Sequence, residues 1–212
     1  MNGRYLARVS LVIVPLLSIP ACEGTSHEAI LSLEEEYAIY STVLRKIAGY
    51  PRVDPTTGEY PLPGLVVLID RTGLGHYKNA ESGTLSRHLS AGLSLDVGPL
   101  VDDLLDNNRS PLVLENKFNL PVEVVLVSED TLAGIFGRLE AHPDSAWQAF
   151  SDRYPNSRNF LELSRPAVDS RGRALVSVTA YCGYTCGIDY FYLLQRVDGE
   201  WAVTGAHWLS IS

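Results

Sequence analysis

The chain has 212 residues, 46% of them hydrophobic and 20% charged, with 17 Lys and Arg against 25 Asp and Glu for a net charge of −8. Such a composition supports a packed core and excludes a disordered tail. An acidic chain with no basic cluster is also a poor match for nucleic acid, which is bound by Lys and Arg neutralising phosphates, or for anionic headgroups.

Residues 1–21 read as an export leader. Arg4 and Arg8 form a positive start, Val9 to Ile19 is apolar, and Ile19-Pro20-Ala21-Cys22 closes the stretch. The apolar run is shorter than the roughly 20 residues a spanning helix needs. The order matches a secretory signal ending in a lipobox, with Cys22 as the lipid-attachment residue and new N-terminus. Pro20 departs from the usual small or aliphatic residue there. Plain cleavage after Ala21 and a retained anchor are the alternatives, and all three place the mature chain outside the cytoplasm. Several acyl chains on Cys22 would make the membrane a stable partner. Loss of Arg4 and Arg8, with no acid lost, takes the net charge from −8 to −10.

Residues 22–27 are expected to be a tether and 28–212 a single α+β domain, with an N-terminal half over 28–120 and helices plus sheet over 121–212. Thr25-x-x-Glu28 and Ser32-x-x-Glu35 both match a capping box. Ile30, Leu33, Tyr37, Tyr40, Leu44 and Ile47 form the stripe of an amphipathic helix, stopped by Gly49 and Pro51. Residues 51–63 read as a loop and Leu65–Ile69 as a buried strand. Asp70 to Gly92, with His76 and His88, has no clear pattern and reads as a polar, Gly-rich loop. Pro99–Asp106 is expected to be a short helix and Pro121–Val127 a strand. Helices are expected over 129–139, capped by Ser128, and from Asp144, with Trp147, Phe150 and Tyr154 on one side and Pro155 as the stop.

The C-terminal 50 residues predict strands at Phe160–Ser164, Ala174–Tyr181, Ile188–Arg196 and Trp201–Ser210, with Asp198-Gly199 as a two-residue hairpin turn. A three-residue loop at 183–185 sets Cys182 opposite Cys186, Ala180 opposite Ile188, Val178 opposite Tyr190, Val176 opposite Tyr192 and Ala174 opposite Leu194. Apolar and amphipathic residues then share one face, which a one-residue slip would destroy. The other face, with Ser177, Thr179 and Asp189 beside Leu175 and Phe191, is mixed. Directly opposed strand positions lie within disulfide reach, so a Cys182–Cys186 bridge is expected. Extending the register sets Leu194 against Val203, Tyr192 against Gly205, Tyr190 against His207 and Ile188 against Leu209.

No residue pattern fixes a reaction. Gly-x-Ser-x-Gly, His-Glu-x-x-His and a phosphate-cradling glycine loop are all missing from the sequence. No catalytic residue, cofactor or metal ligand is therefore assigned. Cys182 and Cys186 with His207 suggest thiol-redox or metal handling as an alternative function. Against it, strand leads to strand there, with no helix dipole to lower a thiol pKa. His207 also falls roughly 13–14 Å along the strand from the tip, at about 3.4 Å per residue. Asp70 and His76 form a loop candidate at the end of a strand. Tyr190, Tyr192, His207 and Trp201 or Trp208 are candidates to line a pocket between sheet and helix. The leading expectation is a non-catalytic envelope lipoprotein that binds a small molecule or a protein.

Leu163-Ser164-Arg165, Ala174-Leu175-Val176, Tyr192-Leu193-Leu194, Gly199-Glu200-Trp201 and Trp208-Leu209-Ser210 together resemble a set of bacterial exported proteins without an assigned activity. The resemblance covers roughly the last 60 residues and implies export but no reaction. Helices covering one face of a C-terminal antiparallel sheet are expected. A cone of the nuclear-transport-factor-2-like or cystatin-like type is the analogy for that arrangement.

Overall fold

The computed structural model of the protein describes residues 31–48, 64–137, 143–157, 159–183 and 186–211. Cys22, Thr25, Ile30, the 51–63 loop and the helix end at Gly49 and Pro51 lie outside them. The fold is α+β: helices α1 (Leu33–Ala48), α2 (Ser82–Leu93), α3 (Gly98–Asn107), α4 (Glu129–Phe136) and α5 (Pro143–Arg153) pack on a seven-stranded sheet. The strands are β1 (Leu65–Ile69), β2 (Glu123–Val127), β3 (Phe160–Leu163), β4 (Ala167–Val168), β5 (Arg173–Gly183), β6 (Cys186–Val197) and β7 (Glu200–Ile211).

The sheet is mixed: its C-terminal strands pair antiparallel as expected, and β1 adds a parallel part to it. Strand order is β2-β1-β3-β5-β6-β7, with β4 also on β5. β1 runs parallel to β2 and β3, and the rest pair antiparallel. The continuous apolar run Leu65–Ile69 is what a parallel strand buried on both faces requires. Its alternate residues enter opposite layers: Val66 and Leu68 pack with α1, Val67 and Ile69 with α4 and α5. Helices therefore cover both faces, not one.

Ser32 caps α1 through the expected box: Glu35 N–H donates to Ser32 Oγ at 3.2 Å and Ser32 N–H to Glu35 Oε2 at 3.3 Å. Tyr37, Tyr40 and Leu44 are buried against Leu161, Val176, Val178 and Tyr192, whereas Leu33 stays 43% exposed. The stripe begins one turn later than its spacing suggests. Glu36 is buried on the same helix and paired with Arg165 at 2.7 Å. In the neighbouring residues, Ser164 Oγ accepts the Ser177 N–H at 2.8 Å.

The second face carries two apolar clusters. One joins α2 and α3 to Leu175, Phe191 and Leu193. The other joins α4 and α5 to Val67, Phe160 and the Phe136–Trp147–Phe150 rings. Asp144 lies inside the first turn of α5 rather than at its cap, because the helix opens at Pro143. The 70–92 segment is not a loop throughout. It holds a 3₁₀ turn over Gly75–Tyr77 and then α2. α2 escapes the periodicity test because it buries only Leu85 and Leu89.

Candidate functional site

Between the two clusters of the second face runs a polar seam. Glu162 on β3, Thr179 on β5 and Asp189 on β6 stand in register, side by side across three strands. Asp189 is fully buried. Its Oδ1 accepts the Thr179 hydroxyl, and its Oδ2 lies 2.9 Å from His76 Nδ1. A carboxylate only accepts, so Nδ1 is the donor in this contact. His76 keeps 33% of its side chain exposed. Among the described residues, Asp189 is the only hydrogen-bond partner of the imidazole.

Two glycines bring His76 there. The chain leaves β1, and Gly73 N–H donates to Leu163 O at 2.8 Å. A Cβ on Gly73 would collide with the Glu162 carboxylate, and one on Gly75 with Thr179. Gly75 also has φ +52°, a backbone region that L side chains rarely adopt. Only a backbone without side chains can lie this close to the seam. Past it, Tyr77 N–H donates to Leu74 O at 2.8 Å and the Tyr77 ring meets Phe191 edge-on at 5.4 Å.

Glu162 completes the seam. Tyr181 OH donates to its Oε2 at 2.9 Å. Burial raises the Glu162 carboxyl above the usual range, against the bonds from Tyr181 and the Gly75 N–H, while the charges of Glu129 and Asp189 add to the rise. Burial, then the Glu162 charge, pushes the Tyr181 phenol up in turn. Tyr181 stacks on Phe160 at 4.7 Å and stands 5.6 Å from the His76 ring. An imidazole oriented by a buried carboxylate, beside a carboxyl whose burial favours its protonated form, is an arrangement able to move a proton. It also ties loop 70–77 to the sheet.

Asp70 and His76 are not brought together. Asp70 stays at the end of β1 with Arg71 Nε at 3.4 Å, and its carbonyl accepts the Leu114 N–H. His76 is carried across the seam instead.

The pocket expected from Tyr190, Tyr192, Trp201 and His207 is also dispersed. Leu194 does pair with Val203, but Leu193 pairs with Gly205. Thr204 is the extra residue of a bulge. Beyond it every β7 residue moves by one, so Tyr192 pairs with Ala206, Tyr190 with Trp208 and Ile188 with Ser210. His207 pairs with Phe191 on the opposite face, its ring over Gly92 of α2. Tyr190 and Tyr192 stack at 6.1 Å on the α1 side. Trp201 is buried there under the Arg196 guanidinium, 4.6 Å from its ring centre.

Of that set, only Trp201 lines the cleft between α1 and β7. The cleft measures about 530 Å³ and has Leu33, Ala38 and Trp201 as apolar lining, with Glu34, Arg45 and Lys117 among its polar residues.

Cys182 and Cys186 form the expected disulfide, with Cα atoms 5.1 Å apart. The expected direct opposition is off by one: Tyr181 pairs with Gly187 and Gly183 with Cys186, leaving Cys182 as a bulge. The pleat sets Gly187 against the His76 ring and Cys186 on the other face, so the sheet separates the bridge from the imidazole. Among the described residues no group of three or more His, Cys, Asp or Glu could hold a metal, and no helix is long and apolar enough to cross a membrane.

Thr179, Asp189, Glu162 and Tyr181 were not singled out by the sequence. Their one signal was the mixed face of β5 and β6, where polar residues interrupt an apolar strand. The chain matches no protein-family model, no curated protein and no solved structure.

Proposed function

We propose that this is an exported protein, held at a membrane by lipid on Cys22, whose folded part binds a ligand in the cleft between α1 and β7. The leader sequence supports the first half of this reading. The cleft carries the second. Its volume of about 530 Å³ falls in the range of roughly 300–1,000 Å³ usual for ligand sites. Apolar lining from Leu33, Ala38 and Trp201 lies beside Glu34 and Glu200 on one hand and Arg45 and Lys117 on the other. Groups of both signs beside apolar lining suit a zwitterionic ligand with an apolar body, such as a short peptide with free ends.

Calorimetric titration with a panel of such peptides tests this. A saturable heat with the native protein, abolished by Ala38→Trp filling the cleft, is the expected result. No response from any peptide, or a response that survives Ala38→Trp, would overturn it. Lipid attachment is tested separately, by radiolabelled palmitate that Cys22→Ser should fail to incorporate.

The disulfide favours a second reading, thiol-redox or metal handling by Cys182 and Cys186. A reduction titration with alkylation and mass spectrometry separates the two. Resistance until below about −300 mV marks a structural bridge. Easy reduction, or stoichiometric metal bound by the reduced pair, would favour the second reading.

A further inference from the structure

We infer that the C-terminal half of β7 is an interaction edge that pairs antiparallel with the same strand of a second copy of this chain. β7 ends the sheet, and among the described residues its only strand partner is β6. Edge strands are normally guarded by charge, proline, brevity or a bulge, because an open row of N–H and C=O groups recruits another strand. The opposite edge obeys this rule: β2 has five residues and opens on Glu123. β7 does not. It runs for 12 residues, and from Trp201 to Ser212 there is no Asp, Glu, Lys, Arg or Pro. Its one guard, the bulge at Thr204, leaves Gly205–Ile211 as a regular stretch. Trp208 stands on that stretch 62% exposed, with Ala206 also exposed on the same face.

The strand itself selects the partner. The chain carries −8 overall, and like charge opposes the approach of two copies across most of the surface. Residues 201–212 carry no acid to set against one another, and the strand is complementary to itself. Strand chemistry selects the register. A two-fold axis through His207 sets Trp208 of one copy against Ala206 of the other, and Leu209 against Gly205. Both are large-against-small pairs, repeated by symmetry on either side of the axis. The result would be one sheet continuous through both copies.

The test is photocrosslinking in the full chain, with p-benzoylphenylalanine in place of Ala206 and, as a control, of the exposed Ala133 on α4. An adduct of two copies from position 206 and not from 133 is expected. Trp208→Lys should abolish it, since the lysine sets a charge on the pairing edge while replacing a side chain that is mostly in solvent. Ala206→Arg should prevent the association too, read by sedimentation of the detergent-solubilised chain. No adduct of two copies at 206, an equal yield at 133, an adduct only with another protein, or pairing that survives both charged substitutions would overturn the inference.

Discussion

His76 Nδ1 lies 2.9 Å from Asp189 Oδ2, a contact between residues 113 positions apart in the chain. It fastens the segment after β1 to the far side of the sheet. Removing the imidazole leaves a buried carboxylate with only the Thr179 hydroxyl on it. His76→Ala should therefore cost about 1.5–3 kcal/mol in urea unfolding, as expected when a charged group loses a hydrogen-bond donor. Paired replacement of His76 and Asp189 by Leu and Val should cost less than the two single changes added together. A cost equal to that sum would show that the contact contributes nothing of its own.

Gly75→Ala forces a side chain into the left-handed region and against Thr179. A loss of roughly 1–3 kcal/mol is expected. Native-state hydrogen exchange should show protection falling first over residues 72–80. Uniform loss across the sheet would mean that the turn is not where the strain falls.

The raised pKa of Glu162 has a defined sign. The native protein takes up this proton at higher pH than the unfolded chain does, so the associated stability is full below the ordinary carboxylate range and lost as pH rises through the raised value. Glu162→Gln keeps an acceptor for Tyr181 and removes the titration. It should be more stable than the parent protein at pH 7, with the difference vanishing near about pH 4, where the unfolded carboxyl is itself largely protonated. Asp169 acts in the opposite sense. Burial would raise it, but hydrogen bonds and the charge of Arg173 hold it below the usual range. Its contribution is present at neutral pH and is lost only as pH falls through that lowered value.

Replacing both Cys182 and Cys186 by Ala opens a very small loop. The chain-entropy relation gives a loss of about 2 kcal/mol. The β5–β6 pairing should persist, because Val176–Tyr192 and Val178–Tyr190 hold it from the core. Cross-strand nuclear Overhauser contacts between these residues check this directly.

The β5–β6 register was legible because every second residue from Ala174 to Ala180 is a smaller apolar one and every second residue from Ile188 to Leu194 is a larger one, so that each pair sets small against large. The β6–β7 register was legible only as far as Val203. Nothing in Val203-Thr204-Gly205 declares an unpaired residue, and one such residue reverses the facing of all that follows. That shift alone moved His207 away from Tyr190. The seam was hidden for a different reason. Asp189 and Thr179 read as solvent-facing strand positions until a segment from before α2 is laid over them. No local pattern encodes a partner more than a hundred residues away.

The order of strands across the sheet constrains when the chain can fold. β5, β6 and β7 follow one another by short turns, so their pairing closes small loops and can form quickly. β1 must wait for β3, which lies some ninety residues further on, and β3 itself docks on β5. β1 has β2 to pair with, but these two strands have no antiparallel sheet to join until the final quarter of the chain has been delivered. A chain emerging from its N-terminus remains without β3 and β5 for most of its synthesis, and a truncation that removes β6 and β7 should strip α1 of the part of its surface made by Tyr192, Leu194 and Trp201.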